Sequence, residues 1–186
     1  MNKLNVLFGT IAVLLAGSGV ANAAGPATAE LHLHGSIISD TCTFVFPTTA
    51  PALNVSAEDY SATNVNGQIG SEVSLGNITV SGCNTKTVTL QAMSDAQIAG
   101  NAEKGKFSYT NKPADAKDPL AFSIGYGSSG NAFLKLDNSS PVSFNVDSDS
   151  LDIPLNISVL KQDSVNNIAA YSGDFSATVT YTADFS

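Results

Sequence analysis

The residues that most constrain this chain are its last fourteen, 173–186, where apolar and polar side chains alternate almost without a break. Phe175, Ala177, Val179, Tyr181, Ala183 and Phe185 stand two apart, and Ser, Thr and Asp fill the places between them. Successive side chains of a β-strand point to opposite faces, so all six fall on one side. On a helix the same positions would scatter around the axis. One long strand follows, and it makes two demands on the rest of the chain: its apolar face must be covered and its edges must be paired. A terminal strand with this much apolar surface frays unless both demands are met.

The chain has 186 residues, 43% of them hydrophobic, which suffices for one domain with a real core. Residues 1–23 read as a secretory signal peptide, with Lys3 as a positive start, an apolar run over 4–15, and Ala21-Asn22-Ala23 as a cleavage site before Ala24. A membrane anchor needs about 20 apolar residues, and this run is shorter and is broken by Gly17, Ser18 and Gly19. No later segment is long and apolar enough to span a bilayer, so the mature chain is expected to be exported without membrane insertion. The two cysteines, Cys42 and Cys83, lie in the mature part, and an oxidising compartment would join them. Sixteen acidic side chains against eight basic ones, all lysine, make nucleic acid and anionic lipid poor partners.

Along the mature chain the apolar rhythm has period two. Strands are expected where Leu31 and Leu33 alternate with His32 and His34, at 44–46 before Pro47, at 73–80 with a turn or bulge at Gly76-Asn77, and at Val88 and Leu90. Further strands are expected at 107–109, 120–126, 133–136, 142–146 and 155–160. Residues 48–70 read as loop with a short strand near 53–55, and 94–106 as a turn or short helical insertion limited by Gly100 and Gly105. Short strands at near-regular spacing, with Gly, Asn, Ser and Pro between them, predict an antiparallel all-β sandwich.

Candidate chemistry is thin. His32 and His34 share one strand face without an acidic or cysteine partner at ligand spacing, so they read as a polar face and no metal or other cofactor is expected. The run 147–152 has Leu151 where a calcium loop needs oxygen and lacks its central Gly and distal Glu, which leaves a solvated acidic turn. With both histidines in the N-terminal arm, a hydrolytic triad has no rigid base. No catalytic residues are assigned, and the chain is not expected to be an enzyme.

Three features together carry a resemblance: the segment 31–37 ahead of Cys42, its partner Cys83, and a terminal strand with Gly173 fourteenth from the end and an aromatic, Phe185, next to last. The mature chain resembles the pilin subunits of chaperone–usher fimbriae, of the type 1 kind; Phe185 replaces the usual tyrosine. The resemblance implies an immunoglobulin-like β-sandwich lacking its last strand, over 36–186, preceded by a donor-strand extension, 24–35. It implies a groove along the terminal strand, with Gly173, the six alternating residues and Ser186 held first by a periplasmic chaperone. In the fibre, Ala27, Ala29, Leu31 and Leu33 of the next subunit would replace the chaperone strand. Other pilin subunits and an outer-membrane usher are the remaining implied partners, and a fimbrium on the bacterial cell surface, supporting adhesion, is the implied destination. A tip adhesive subunit or a secreted carbohydrate-binding sandwich is the alternative, although a two-domain adhesin would need a receptor domain ahead of this one.

Overall fold

The computed structural model describes residues 29–36, 42–113, 116–127 and 132–186. The strands are β1 Ala29–Ser36, β2 Thr43–Val45, β3 Gln68–Ser81, β4 Lys86–Ser94, β5 Gln97–Ile98, β6 Asn101–Lys106, β7 Ser108–Tyr109, β8 Leu120–Tyr126, β9 Ala132–Phe133, β10 Val142–Val146, β11 Ser150–Lys161 and β12 Phe175–Phe185. They form two sheets. One runs β1-β12-β4-β10, with β7 beside the start of β12, and the other runs β2-β3-β11-β8-β6-β5, with β9 on β8.

Alternation explains why the two sheets face each other. On β11 the inward residues Ile153, Leu155, Ile157 and Val159 are buried, and on β4 Val88, Leu90 and Ala92 are. β3 carries Leu75 and then Ile78 and Val80 to the same core, a spacing of three that would turn one set outward in a regular strand. An irregularity opposite Leu155 and Asn156 absorbs the extra residue, and Gly76 at φ +94° supplies the backbone it needs. The expected break at Gly76-Asn77 is thus a bulge inside one 14-residue strand.

Three local expectations are corrected. Residues 57–62, read as loop, form the helix α1 Ala57–Ala62. Ser56 caps it by accepting from the Asp59 amide at 2.9 Å, Glu58 and Asp59 sit in its first turn, and Tyr60 is buried. Its far end is closed by Lys161, which is nearly buried and whose Nζ donates to the carbonyls of Tyr60 at 2.9 Å and Thr63 at 2.8 Å. Residues 97–106 form the β5–β6 hairpin and no helix, since Gly100 turns the chain at φ +78° and Gly105 and Lys106 pair with β8. The acidic run is only half a turn, because Ser150, Leu151 and Asp152 pair with Ser81, Val80 and Thr79.

Candidate functional site

The site is built on β12, whose alternation the sequence displays. Phe175, Ala177, Val179, Tyr181 and Ala183 are buried and Phe185 packs half-buried against the same core. Aromatic rings fill the space beneath the strand. Phe175 meets Phe107 edge-on at 4.7 Å between ring centroids, and Tyr181 stacks on Phe46 at 6.3 Å. Phe46 was legible only as the residue two beyond Phe44; nothing local in the sequence pairs it with Tyr181.

Entry into β12 depends on Gly173. Its φ is +134°, and a Cβ there would come within 2.8 Å of the Asn111 side-chain nitrogen. That nitrogen donates to the Ser172 carbonyl at 2.7 Å, and the Thr110 amide donates to Asp174 at 2.9 Å, so the turn before the strand is tied to the segment after β7. Exit is held just as firmly: the Ser186 and Thr87 amides donate to each other's carbonyls at 3.0 and 3.1 Å. Close by, Cys42 and Cys83 form a disulfide that joins the start of β2 to the end of β3, with a Cα separation of 5.0 Å.

One flank of β12 is covered by β7 at Phe175 and Ser176 and by β4 from Val179 to Phe185, all antiparallel. The other flank carries β1, and the ladder there is parallel. Ala29, Leu31 and Leu33 take the register positions of Phe175, Ala177 and Val179, while His32 and His34 stand opposite Thr178 and Thr180. Ala27 and residues 1–28 as a whole lie outside the described residues. A strand was expected where Leu31 and Leu33 alternate with His32 and His34; it spans Ala29–Ser36 and finds its partner, β12, within its own molecule.

The electrostatics around β12 are those of an apolar cleft. Burial pushes the Tyr181 phenol far above its ordinary value, and its hydroxyl has no hydrogen-bond partner among the described residues. Burial also raises Tyr109, whose hydroxyl accepts from the Leu120 amide at 3.1 Å and donates to the Leu120 carbonyl at 3.3 Å. Among the described residues no group of three or more His, Cys, Asp or Glu side chains could hold a metal ion. No helix among them is long and apolar enough to cross a membrane.

With β2-β3-β11-β8 on one side and β12-β4 on the other, the strand order is that of an immunoglobulin-like sandwich. The seat beside β12, where a seventh strand would lie antiparallel, is filled by a parallel strand from the other end of the chain. The fold is the one found in chaperone–usher pilus subunits. The P pilus rod subunit PapA aligns over 79% of this chain and 100% of its own length at 16% identity, with a TM-score of 0.56. A chaperone–usher pilus structure that bears on rod uncoiling aligns over 95% of this chain and 100% of its own at 14% identity and 0.60. The CupB6 tip adhesin of Pseudomonas aeruginosa aligns over 84% of this chain and 40% of its own at 9% identity, and its TM-score of 0.43 is too low to define a shared fold. No protein-family model matches the chain, and no curated protein matches it either.

Proposed function

We propose that this chain is a structural subunit of a chaperone–usher fimbria that polymerises by donor-strand exchange and supports cell adhesion. The observation that carries the proposal is the seat beside β12: a sandwich of this strand order fills it with a segment from before the domain, running parallel to β12. A segment that arrives from outside the domain's own strand sequence can equally come from another molecule. In this reading residues 1–23 are the export signal, 24–35 the donor extension and 36–186 the acceptor domain. Ala27, Ala29, Leu31 and Leu33 enter a neighbour's groove antiparallel to its β12, where burial of the two leucines alone stabilises the contact by roughly 3–6 kcal/mol. Gly173 sets the entry of the groove strand and Ser186 its exit. Before assembly a periplasmic chaperone covers the groove, an outer-membrane usher then orders the subunits, and the fibre stands on the bacterial surface.

Electron microscopy of cells expressing the chain with its chaperone and usher tests this directly. Fibres are expected from the wild type. Leu31→Asp with Leu33→Asp should leave a chaperone-bound subunit and no fibres, and deletion of 183–186 should abolish chaperone capture. Fibres at wild-type density from the double aspartate variant would overturn the assignment of the donor segment.

A further inference from the structure

The strands that end the two sheets differ in how well they are protected. β2 has three residues and β5 two, too short to template another chain. β1 lies in the segment proposed above as the donor. β10 is left, with five residues, Val142-Ser143-Phe144-Asn145-Val146, none of them charged, proline or glycine. It pairs with β4 on one side, and no strand among the described residues pairs with it on the other. Which of its backbone groups face outward follows from β4. Thr87 exchanges both of its backbone hydrogen bonds with Ser186, so its amide and carbonyl point to the β12 side. Those of the next residue, Val88, point the opposite way, toward Phe144, its partner on β10. Phe144 therefore turns its own amide and carbonyl inward to β4. Ser143 and Asn145, both exposed, turn theirs out.

The strand reads nearly the same in both directions. Antiparallel pairing of two copies about a two-fold axis at Phe144 sets Ser143 against Asn145 of the second copy, and the reverse, while Phe144 meets its counterpart. Hydrogen-bonded and non-hydrogen-bonded pairs alternate in an antiparallel ladder. With the free groups on Ser143 and Asn145, these two form the hydrogen-bonded pairs, so every outward amide and carbonyl of both residues gains a partner. Phe144, half-buried with its ring edge-on to Tyr126 at 5.8 Å between centroids, falls at the closely spaced pair, where aromatic cross-strand contacts stabilise. The flanks fit too, because exposed Asp147 comes opposite Pro141 of the second copy and not opposite another carboxylate. We propose that β10 is a docking edge for a second copy of this chain, paired antiparallel through Ser143 and Asn145 about a two-fold axis at Phe144. The contact uses neither β12 nor residues 24–36, so it does not depend on the fibre reading. Five residues a side make a small interface, weak between two free molecules.

Two measurements on the purified mature protein test the edge. In a one-to-one mixture of the Ser143→Cys and Asn145→Cys proteins, mild oxidation should give the mixed 143–145 disulfide as the main dimer, mapped by mass spectrometry. The 143–143 and 145–145 contacts are diagonal in this register, about 7–8 Å apart, which is beyond disulfide reach. The second measurement compares three double variants by sedimentation equilibrium. Ser143→Lys with Asn145→Asp sets opposite charges across the axis twice, whereas lysine at both positions, or aspartate at both, sets like charges there. The mixed-charge protein should self-associate at least about fourfold more tightly than either like-charge protein. If net charge alone governed, the double-lysine protein would associate best, since it reduces the chain's net charge of −8 the most. That order, or equal yields of the three disulfide dimers, or no mixed disulfide, overturns the docking edge. Oligomers built through β12 do not distinguish these variants, because β4 lies between β10 and β12, so this proposal and the fibre reading can fail separately.

Discussion

Replacing Tyr181 by Phe isolates one atom whose surroundings are unusual. The side chain is fully buried, its ring stacks on Phe46, and its hydroxyl finds no partner among the described residues. Tyr181→Phe keeps the ring contact and removes only the oxygen. A buried hydroxyl without a hydrogen bond costs about 1–3 kcal/mol of stability. Against that stands the small void left by one oxygen atom, so the net expectation is a gain of roughly 1–2 kcal/mol. For a domain of this size that is a rise in Tm of about 2–8 °C. Urea unfolding of the purified, disulfide-bonded protein should show a higher midpoint at unchanged m-value. A loss of about 1 kcal/mol or more would mean that the hydroxyl is bonded in the native state, and the reasoning would fail. The same substitution has a signature in pH. Burial raises the phenols of Tyr181 and Tyr109 in the folded chain, whereas in the unfolded chain they titrate near about 10. Above that pH the folded state holds more protons than the unfolded one, so stability is intact below the unfolded value and falls as pH rises beyond it. Tyr181→Phe should make this alkaline loss shallower in denaturation series run above neutrality.

Cys42→Ser should weaken the domain by ~4 kcal/mol on the chain-entropy model for the closed loop, which spans 41 residues, and mass spectrometry of the native protein should find no free thiol. Gly105→Ala should cost about 1–3 kcal/mol by overpacking, because a Cβ there would stand 2.2 Å from the tip of the Phe122 ring in the packed core; thermal unfolding checks it, and an unshifted Tm would show that the ring gives way. Ser56→Ala should remove about 1 kcal/mol through loss of the α1 cap, read as a lower urea midpoint.

What was legible in the sequence was whatever depends on neighbours along the chain. The period-two alternation of 173–186 defined the buried face of β12, and the strands at 120–126 and 142–146 stand where their apolar rhythm put them. Two cysteines in a chain expected to be exported allowed one bridge, and it forms. Helix α1 was also written locally, in Ser56 three residues before Asp59, but a six-residue helix is too short to show apolar periodicity and owes its closure to Lys161, about a hundred positions away. The β5–β6 hairpin was hidden because Ala102, Glu103 and Lys104 favour helix; pairing with β8 beside Gly105 overrides that preference. The seat beside β12 is the clearest case of a tertiary decision. Alternation in 29–33 shows that a strand exists and which residues share its face, yet a strand's partner and direction depend on where its ends are held. Here the bridge to Cys83 and the pairing of Thr87 with Ser186 hold one end of β1 near the C-terminal end of β12, and the six Cα steps from Ser36 to Cys42 leave the parallel ladder as the one direction a single molecule can reach.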